Sequence, residues 1–308
     1  RYRIDYVNFP KGMKVETFSG RYSSIPRGWQ ESPLYRQHVI HCGVHRENDP
    51  QLRLIAKKQN VAPGKSVQLA KLDGAGLVRW VKLLADAKTL NNDDLWLSVT
   101  IDGEKKPAIA APARFWFPGL ANGSGKYHNY LLVHRGGATS LLAMPFGNGL
   151  TLNAENHGET TIADVGIDLS VEKATQKTRD DIVARARLRG LFLPGGSGSK
   201  VVFSQKGNGR WAGLVLQIPE KGPVPAKGNL FVDGKTPAGY SNVTLDDFLG
   251  RSGHDYRTCL SGRRRGLAWR YMLMAPVDFQ NSIRLEATTD TLGKRLALFY
   301  LSVGRSSR

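Results

Sequence analysis

The sequence has little cysteine and no long apolar run. Only two cysteines, Cys42 and Cys259, occur in 308 residues, and neither belongs to a C-x-x-C pair, which argues against a zinc ribbon. The spacing leaves open whether they form one disulfide or remain two thiols. No stretch of eighteen apolar residues is present, so the sequence predicts no membrane-spanning helix.

Motifs for phosphate binding, acyl transfer and metal binding are also missing. The glycine-rich segment PGGSGSK at 194–200 lacks the spacing of a phosphate loop, and no G-x-S-x-G nucleophile elbow occurs. His38, His41 and His45 lie in a segment, 34–45, that we predict to be a strand. They do not make up the fuller ligand set that a structural metal site needs. We therefore expect neither a cofactor nor a metal.

Acidic residues are scarce relative to basic ones. The chain has 44 Lys and Arg against 26 Asp and Glu, a net charge of +18. Such a field attracts polyanions, and it equally keeps an abundant protein soluble. An acidic glycan or another polyanion is the expected partner besides the chain itself. Nucleic acid is disfavoured because no recognition helix or stacking motif is apparent.

What the sequence does contain is a long internal repeat. Shifting the chain by 131 positions without a gap aligns the stretch around Trp80 to Glu155 with the stretch around Trp211 to Glu286. A period of this length is typical of a duplicated domain and not of a short solenoid repeat. The residues that meet identical partners are Gly76, Arg79, Trp80, Leu83, Asp102, Gly103, Phe117, Gly119, Pro145 and Glu155.

Short strands punctuated by turns predict an all-β protein. Asp-Gly at 102–103 and at 233–234 are hairpin-turn signals at the same place in the two copies. Two such halves predict a tandem double jelly roll of two β-sandwiches. In each half the Arg-Trp pair, 79–80 and 210–211, predicts a core Trp with an outward Arg.

The predicted organisation has four parts. Residues 1–35 form an N-terminal arm with interleaved aromatics, 36–171 the first jelly roll, 172–190 a partly helical connection, and 191–308 the second jelly roll. The sequence begins at Arg1, which indicates either a removed leader or a trimmed N-terminus. With a removed leader, we expect a location outside the cytoplasm: extracellular, cell-surface or periplasmic.

An ordered set of segments resembles glycoside hydrolase family 172. The segments, within about residues 70–290, are LWLSVTIDGEKKPAIAAP, LLAMPFGNGLTLNAENHG, LFVDGKTPAGYSNVTLDDFLG and WRYMLMAPVDFQNSIRLEA. The resemblance implies a double jelly roll that assembles through trimers. It also implies a family of furanoside-active enzymes: α-D-fructofuranosidases, difructose-anhydride synthases and D-arabinofuranosidases.

The sequence departs from that family at the catalytic acids. Leu245 stands where the family motif G-T-G-T-E-D-Y-F has its Glu, and 225–228 contains no acid where the other carboxylate is expected. In the first half Ala110 and Phe115 replace acidic residues. Because leucine, proline and alanine cannot serve as acid, base or nucleophile, the resemblance implies a relative without the catalytic glutamates.

We therefore expect a non-catalytic, structural or glycan-associated protein that forms homo-oligomers. The alternative is a furanosidase with displaced acids, which would need two carboxyls roughly 5–9.5 Å apart. Its candidate catalytic residues are Asp233, Asp246, Asp247 and Glu155. For ligand binding the candidates are Trp116, Arg114, Arg263, Arg264, Arg265 and Trp269, although a solvated basic loop equally explains the arginine run.

Overall fold

A computed structural model describes the chain in segments between residues 52 and 303. The described ranges are 52–86, 88–118, 127–128, 132–134, 138–140, 142–219, 226–237, 240–245, 249, 261–264, 266–272, 277–289 and 292–303. All of them belong to one of the two units into which the chain divides, Pro50–Arg308; the other is Arg1–Asp49. The predictions that lie outside the described residues concern the arm, the three histidines of 34–45, Cys42, Cys259, Asp246, Asp247 and Arg265.

The first half of the described chain forms a sandwich of two antiparallel sheets. Its strands are β1 (Leu52–Val61), β2 (Ser66–Asp73), β3 (Gly76–Leu84), β4 (Leu95–Ile101), β5 (Ile109–Pro112), β6 (Tyr127–His128), β7 (Leu132–His134), β8 (Ala138–Ser140), β9 (Met144–Phe146), β10 (Gly149–Asn156) and β11 (Ile162–Lys173). The large sheet has the order β1-β11-β3-β8-β7-β6, with β9 also paired to β3. The small sheet has the order β2-β10-β4-β5.

The second half repeats this arrangement. Its strands are β12 (Arg187–Leu193), β13 (Val201–Lys206), β14 (Gly209–Gln217), β15 (Lys227–Val232), β16 (Val243–Thr244), β17 (Ser261–Arg264), β18 (Leu267–Tyr271), β19 (Val277–Phe279), β20 (Ser282–Ala287) and β21 (Arg295–Leu301). The large sheet has the order β12-β21-β14-β18-β17, with β19 paired to β14, and the small sheet the order β13-β20-β15-β16.

The strand orders confirm the predicted double jelly roll. In both large sheets the first strand of the half lies beside the last, and the last beside the third. Both small sheets place the second, penultimate, fourth and fifth strands side by side. Two sandwiches with one topology, in one chain, are a duplicated jelly roll.

The gapless 131-residue repeat, however, is wrong in the large sheets. Gly76 pairs with Phe146, and Gly209 pairs with Phe279 in the same way, so equivalent residues there lie 133 positions apart. The Asp-Gly turns keep the 131-residue spacing, because Asp102 and Asp233 follow equivalent strands. The loop between the third and fourth strands therefore differs in length by two residues between the copies.

This shift changes the meaning of the repeated Arg-Trp pair. Trp211 is fully buried, as predicted, but its equivalent in the first jelly roll is Val78. Trp80 is only half-buried and lies two positions further along. The two tryptophans are thus not equivalent, although both halves place an apolar side chain at the Trp211 position.

Three short helices lie completely within the described residues. A 3₁₀-helix, Thr89–Asn91, precedes β4, α1 (Ala113–Trp116) follows β5, and α2 (Arg179–Ala184) lies in the predicted connection. The apolar stretch 108–117 is therefore only partly strand. The final strand ends at Leu301.

The two jelly rolls share a hydrophobic core. Alternate residues of β14, such as Leu214 and Leu216, pack into the core of the second jelly roll. Val215 between them, with Leu296 and Leu298 of β21, belongs to the cluster that fills the first jelly roll. The large sheet of the second jelly roll is consequently buried on both faces, which accounts for its continuous apolar strands.

Candidate functional site: the junction between the jelly rolls

Strand β12 runs along the edge of the first jelly roll beside β5. The Gly190 N–H donates to the carbonyl oxygen of Ala108 at 2.9 Å. A Cβ at Gly190 would lie 2.5 Å from Cγ2 of Ile109, closer than real side chains approach. Only glycine lets the two backbones come this near, so the contact fixes how the jelly rolls meet.

At one end of this contact the Asp102 carboxylate accepts hydrogen bonds from three residues. It sits at φ 57°, in the left-handed region that the Asp-Gly turn requires. Its Oδ1 accepts the backbone N–H of Gly147 at 2.6 Å and of Asn148 at 2.7 Å. Its Oδ2 accepts from Nε of Arg187, on β12, at 2.8 Å. Asp102 therefore closes its own turn and also binds the second jelly roll.

Arg187 is almost completely buried. Its side chain is 4% exposed, and its Nη1 donates to the carbonyl oxygen of Arg185 at 2.6 Å. Burial opposes ionisation of the Asp102 carboxyl, but the Arg187 guanidinium and the two backbone donors outweigh it and hold the pKa of Asp102 below its usual range. The pair is thus a desolvated, charge-assisted hydrogen bond.

At the other end aromatic rings meet across the junction. Trp96 of β4 stacks on His157 with ring centroids 4.6 Å apart. Phe192 of β12 meets Trp96 edge-on at 5.1 Å and Phe115 of α1 at 5.2 Å. These geometries are favourable for aromatic pairs and enclose the Trp96 ring from both jelly rolls.

Beside these rings lies a charged triad centred on Asp93. Its carbonyl oxygen accepts from Trp96 Nε1 at 2.9 Å, and its carboxylate binds both Arg114 and Lys294. Burial opposes ionisation of Asp93, yet the two cations outweigh it and lower the pKa of the carboxyl. Lys294 belongs to the second jelly roll, so this is a second ionic contact across the junction.

Glu155 lies next to Trp96 in the neighbouring strand. Its Oε1 accepts from the Ser98 hydroxyl at 2.6 Å, and its Oε2 lies 3.3 Å from Nε2 of His157. The carboxylate stands between the hydroxyl and the imidazole, so the histidine cannot act as a base on Ser98. We call Asp93, Trp96, Arg114, Glu155, His157, Phe192 and Lys294 the junction cluster.

Asp233 occupies the equivalent of Asp102 in the second jelly roll. It also has a positive φ, 50°, and its carboxylate accepts the backbone N–H groups of Gln280, Asn281 and Ser282. These hydrogen bonds lower the pKa of Asp233. Asp233 and Glu155 share no contact in the described part of the chain, so the structure does not bring these two candidate acids together.

The candidate aromatic ligand-binding residues lie in the core. Trp116 is 5% exposed and Trp269 is fully buried, so neither ring presents a face on which a sugar could stack. Arg263 donates to the carbonyl oxygen of Pro219 at 2.7 Å. The Arg264 side chain lies outside the described residues. Among the candidates whose side chains the structure describes, only Arg114 and Glu155 belong to one cluster, the junction cluster.

Sequence reasoning missed Trp96 as a member of the cluster. Leu95 and Leu97 on either side of it are fully buried, so strand alternation turns Trp96 to the outer face of the small sheet. An outward tryptophan on a strand was the available signal. The sequence contains no comparable signal for Asp93 and Lys294, because their contact joins residues of different jelly rolls.

The positions that depart from the furanosidase pattern are apolar in structure as well as in sequence. Leu245 and Phe115 are both fully buried in hydrophobic clusters. Ala110 pairs with Ser98 and is half-buried. Within the described ranges, no group of three or more His, Cys, Asp or Glu is placed to hold a metal ion. The described helices include none long and apolar enough to cross a membrane.

Several solved structures are similar at low identity. They include one titled as the atomic structure of Sulfolobus Turreted Icosahedral Virus (10% identity, 81% of this chain and 90% of that chain, TM-score 0.48). The major capsid protein P2 of bacteriophage PM2 is 11% identical (83% and 99%, TM-score 0.46). The STIV MCP is 13% identical (82% and 96%, TM-score 0.44). No curated protein matches the chain.

One protein-family model matches the sequence, over residues 51–169, and it is described as GH172 domain-like. The match begins at β1 and ends within β11, so it covers the first jelly roll. The first jelly roll of this chain is a member of the GH172-like domain family.

Proposed function

We propose that this protein is a non-catalytic, structural double jelly-roll protein that associates with copies of itself. The observation that carries the proposal is the burial of Leu245, the residue that replaces the expected catalytic glutamate. Three further features support it: the bonds made by the described candidate carboxylates, the fixed junction between the jelly rolls, and sheet edges that have no further described strand.

Leu245 lies in the core of the second jelly roll. It is fully buried, and its Cδ2 would be 3.2 Å from a Cβ added at Gly228 of β15. A carboxylate at this place would lose its hydration with no described cation beside it, which is strongly unfavourable. The position therefore serves packing, and the same holds for Phe115 in the first jelly roll.

The described candidate acids are occupied by structural bonds. Asp233 binds three backbone N–H groups, and Glu155 binds the Ser98 hydroxyl. A glycosidase needs one carboxyl to protonate the leaving oxygen and another to attack or to activate water. Glu155 lies on the small sheet of the first jelly roll and Asp233 in a turn of the second, an arrangement that offers no such pair.

The fixed junction and the sheet edges without a further described strand suit a structural subunit. The shared core and Arg187–Asp102 hold the two jelly rolls together, so the chain can present rigid surfaces to its neighbours. Within the described residues, β1 and β16 are edge strands with one strand partner each. Edge strands carry unpaired backbone groups that readily join another chain.

The finer features of the proposal come from the sequence. Assembly as a homotrimer or a multiple of it follows from the family resemblance. The net charge of +18 favours an acidic glycan or another polyanion as partner. We place the assembly outside the cytoplasm, at the cell surface or in the periplasm.

The test combines an activity assay with a mass measurement. Aryl and oligomeric fructo- and arabinofuranosides are incubated with the parent protein and with Asp246→Asn, Asp247→Asn and Glu155→Gln. Multi-angle light scattering gives the mass of the parent in parallel. We expect no turnover and a mass of several chains. Turnover that disappears in one of the variants would instead assign a furanosidase and locate its acid.

A further inference from the structure

We propose that one end of the molecule, beside the connection between the jelly rolls, is a docking surface for an anionic lipid bilayer. We call it the basic end and define it by its exposed basic residues: Lys105, Lys106, Lys173, Lys177, Arg179 and Arg185. The partner is not a second copy of the chain, so the proposal does not depend on self-association.

The fold brings these residues together from two separate segments. Lys105 and Lys106 lie in the turn between β4 and β5, which begins at Asp102. Asp102 accepts from Nε of Arg187 at 2.8 Å, just after the connection. The same arginine donates from Nη1 to the carbonyl oxygen of Arg185 at 2.6 Å. The buried pair thus places the end of the connection beside the lysines of the turn.

The start of the connection lies at the same end. Lys173, the last residue of β11, pairs with Gly76, and Gly76 also pairs with Phe146 of β9. The next residue, Gly147, donates its N–H to Asp102 at 2.6 Å. The end of β11 and the turn that carries Lys105 and Lys106 are therefore neighbours.

Most carboxylates at this end are already bound to other arginines. They form the pairs Arg187–Asp102, Arg189–Glu104 and Arg79–Glu172. Asp73, Asp180 and Asp181 also lie here, and they are fewer than the exposed basic residues. The side chains of the basic end make no ion pair or hydrogen bond with other described residues. Their positive field is therefore available to a partner.

Exposed aliphatic side chains accompany these charges. Among the described residues, the exposed large hydrophobic side chains are Val183, 37% exposed, and Val303, 45% exposed. Val183 lies in α2, and a Cβ at Gly147 would be 3.6 Å from its Cγ1. Val303 follows β21, where Leu301 pairs with Arg187. Single exposed apolar residues are common on protein surfaces, but here both lie at the basic end.

This combination of side chains fits a lipid surface better than other polyanions. Lysine and arginine are attracted to anionic headgroups, and aliphatic side chains can enter the interface beneath them. A single-stranded nucleic acid would instead stack its bases on aromatic rings. Binding of this kind is peripheral and reversible, and salt weakens it because the charges remain in solvent.

Cosedimentation with vesicles tests the proposal. The parent protein should bind vesicles of phosphatidylglycerol and phosphatidylcholine, release them at high salt, and not bind phosphatidylcholine alone. Lys105→Gln with Lys106→Gln should weaken binding about tenfold or more. Lys65→Gln with Lys200→Gln is the matched control. Both control lysines are exposed at the opposite ends of their sheets, so this variant loses the same charge and should bind as the parent does.

A fluorescent probe tests the orientation independently. In a Cys42→Ser, Cys259→Ser background, Val183→Cys carries an environment-sensitive dye, whose emission should shift to the blue when anionic vesicles are added. Ala62→Cys, in the exposed turn between β1 and β2, is the control and should show no shift.

The outcomes are decisive for this surface and leave self-association to its own mass measurement. Equal weakening by the two lysine pairs, or equal dye shifts at residues 183 and 62, would overturn the proposal. Absence of vesicle binding would also overturn it, including the case in which the protein binds a soluble acidic polysaccharide or duplex DNA instead. If the Lys105→Gln, Lys106→Gln variant fails to fold, the dye measurement decides.

Discussion

Arg187 of the second jelly roll donates its Nε–H to Asp102 of the first at 2.8 Å, and both side chains are largely removed from water. This hydrogen bond joins a turn of one sandwich to the first strand of the other. The arginine also donates to carbonyl oxygens in the segment between the jelly rolls. These bonds tie the carboxyl-terminal part of the connection to the first jelly roll.

Replacing Arg187 should therefore cost much more stability than replacing the less buried Arg189. Arg187→Met leaves Asp102 buried without its cation, and we expect a loss of about 3–5 kcal/mol in the free energy of unfolding. Arg189→Met removes a partly exposed ion pair, Arg189–Glu104, and should cost less than about 1 kcal/mol. Urea unfolding followed by fluorescence measures both; equal losses would contradict the structural importance of the buried pair.

Gly190 should tolerate no side chain while Ile109 faces it. Gly190→Ala places a Cβ 2.5 Å from Ile109 Cγ2, and we expect a destabilisation of about 1–3 kcal/mol. Adding Ile109→Ala should recover part of that loss, which a double-mutant cycle measures. Gly196→Ala is the control, because its Cβ would meet no atom within 4 Å.

Leu245→Glu should destabilise the second jelly roll and not create an active site. The new carboxyl would enter an apolar core, so we expect a loss of several kcal/mol or a shift to the protonated form. Leu245→Met, which conserves volume, should cost less than about 1.5 kcal/mol. Thermal melting compares the two. A stable Leu245→Glu protein with furanosidase activity would show that the site is open to solvent.

Acid should weaken the junction through Asp93 and Asp102. The pKa of each carboxyl lies below its ordinary value of 3.8 in the folded protein. Each therefore contributes stability that is present above the unfolded pKa and is lost as the pH falls through the lower folded pKa. We expect the melting temperature to drop below about pH 4. Asp102→Asn should be less stable at pH 7 and show a shallower drop.

The second jelly roll should not fold alone. Residues 185–308 would expose Val215, Leu296 and Leu298, which in the whole chain pack against the first jelly roll. We expect this fragment to bind a hydrophobic dye and to lack near-ultraviolet circular dichroism. A fragment with a cooperative unfolding transition would mean that the shared core is dispensable.

The sequence predicted the topology well because its strongest signals are local. Asp-Gly turns and alternating strands determine where hairpins form, and both Asp102 and Asp233 adopt the positive φ that such turns need. The repeat pointed to duplication, but its uniform spacing failed where loops differ in length. Identities such as Trp80 with Trp211 could not reveal that difference.

The contacts at the junction could not be predicted from local sequence signals. Asp93 and Lys294 meet although 201 positions separate them, and nothing in their sequence surroundings marks them as partners. The burial of Trp116 and Trp269 could not be predicted from the sequence either, because an aromatic residue beside arginines is as compatible with a core strand as with a binding loop. Such contacts depend on how two completed sheets pack.

The doubly covered sheet of the second jelly roll also bears on how the chain is made. Its last strand, Arg295–Leu301, leaves the ribosome after the whole first jelly roll. That strand has apolar residues on both faces and would be prone to pair with other chains if it remained exposed to solvent. A first jelly roll that is already folded offers it a surface at once. Because the first jelly roll is synthesised first, its folded surface can cover the apolar outer face of the second large sheet as that sheet forms. The order of the two halves thus reduces the exposure of the second jelly roll to pairing with other chains.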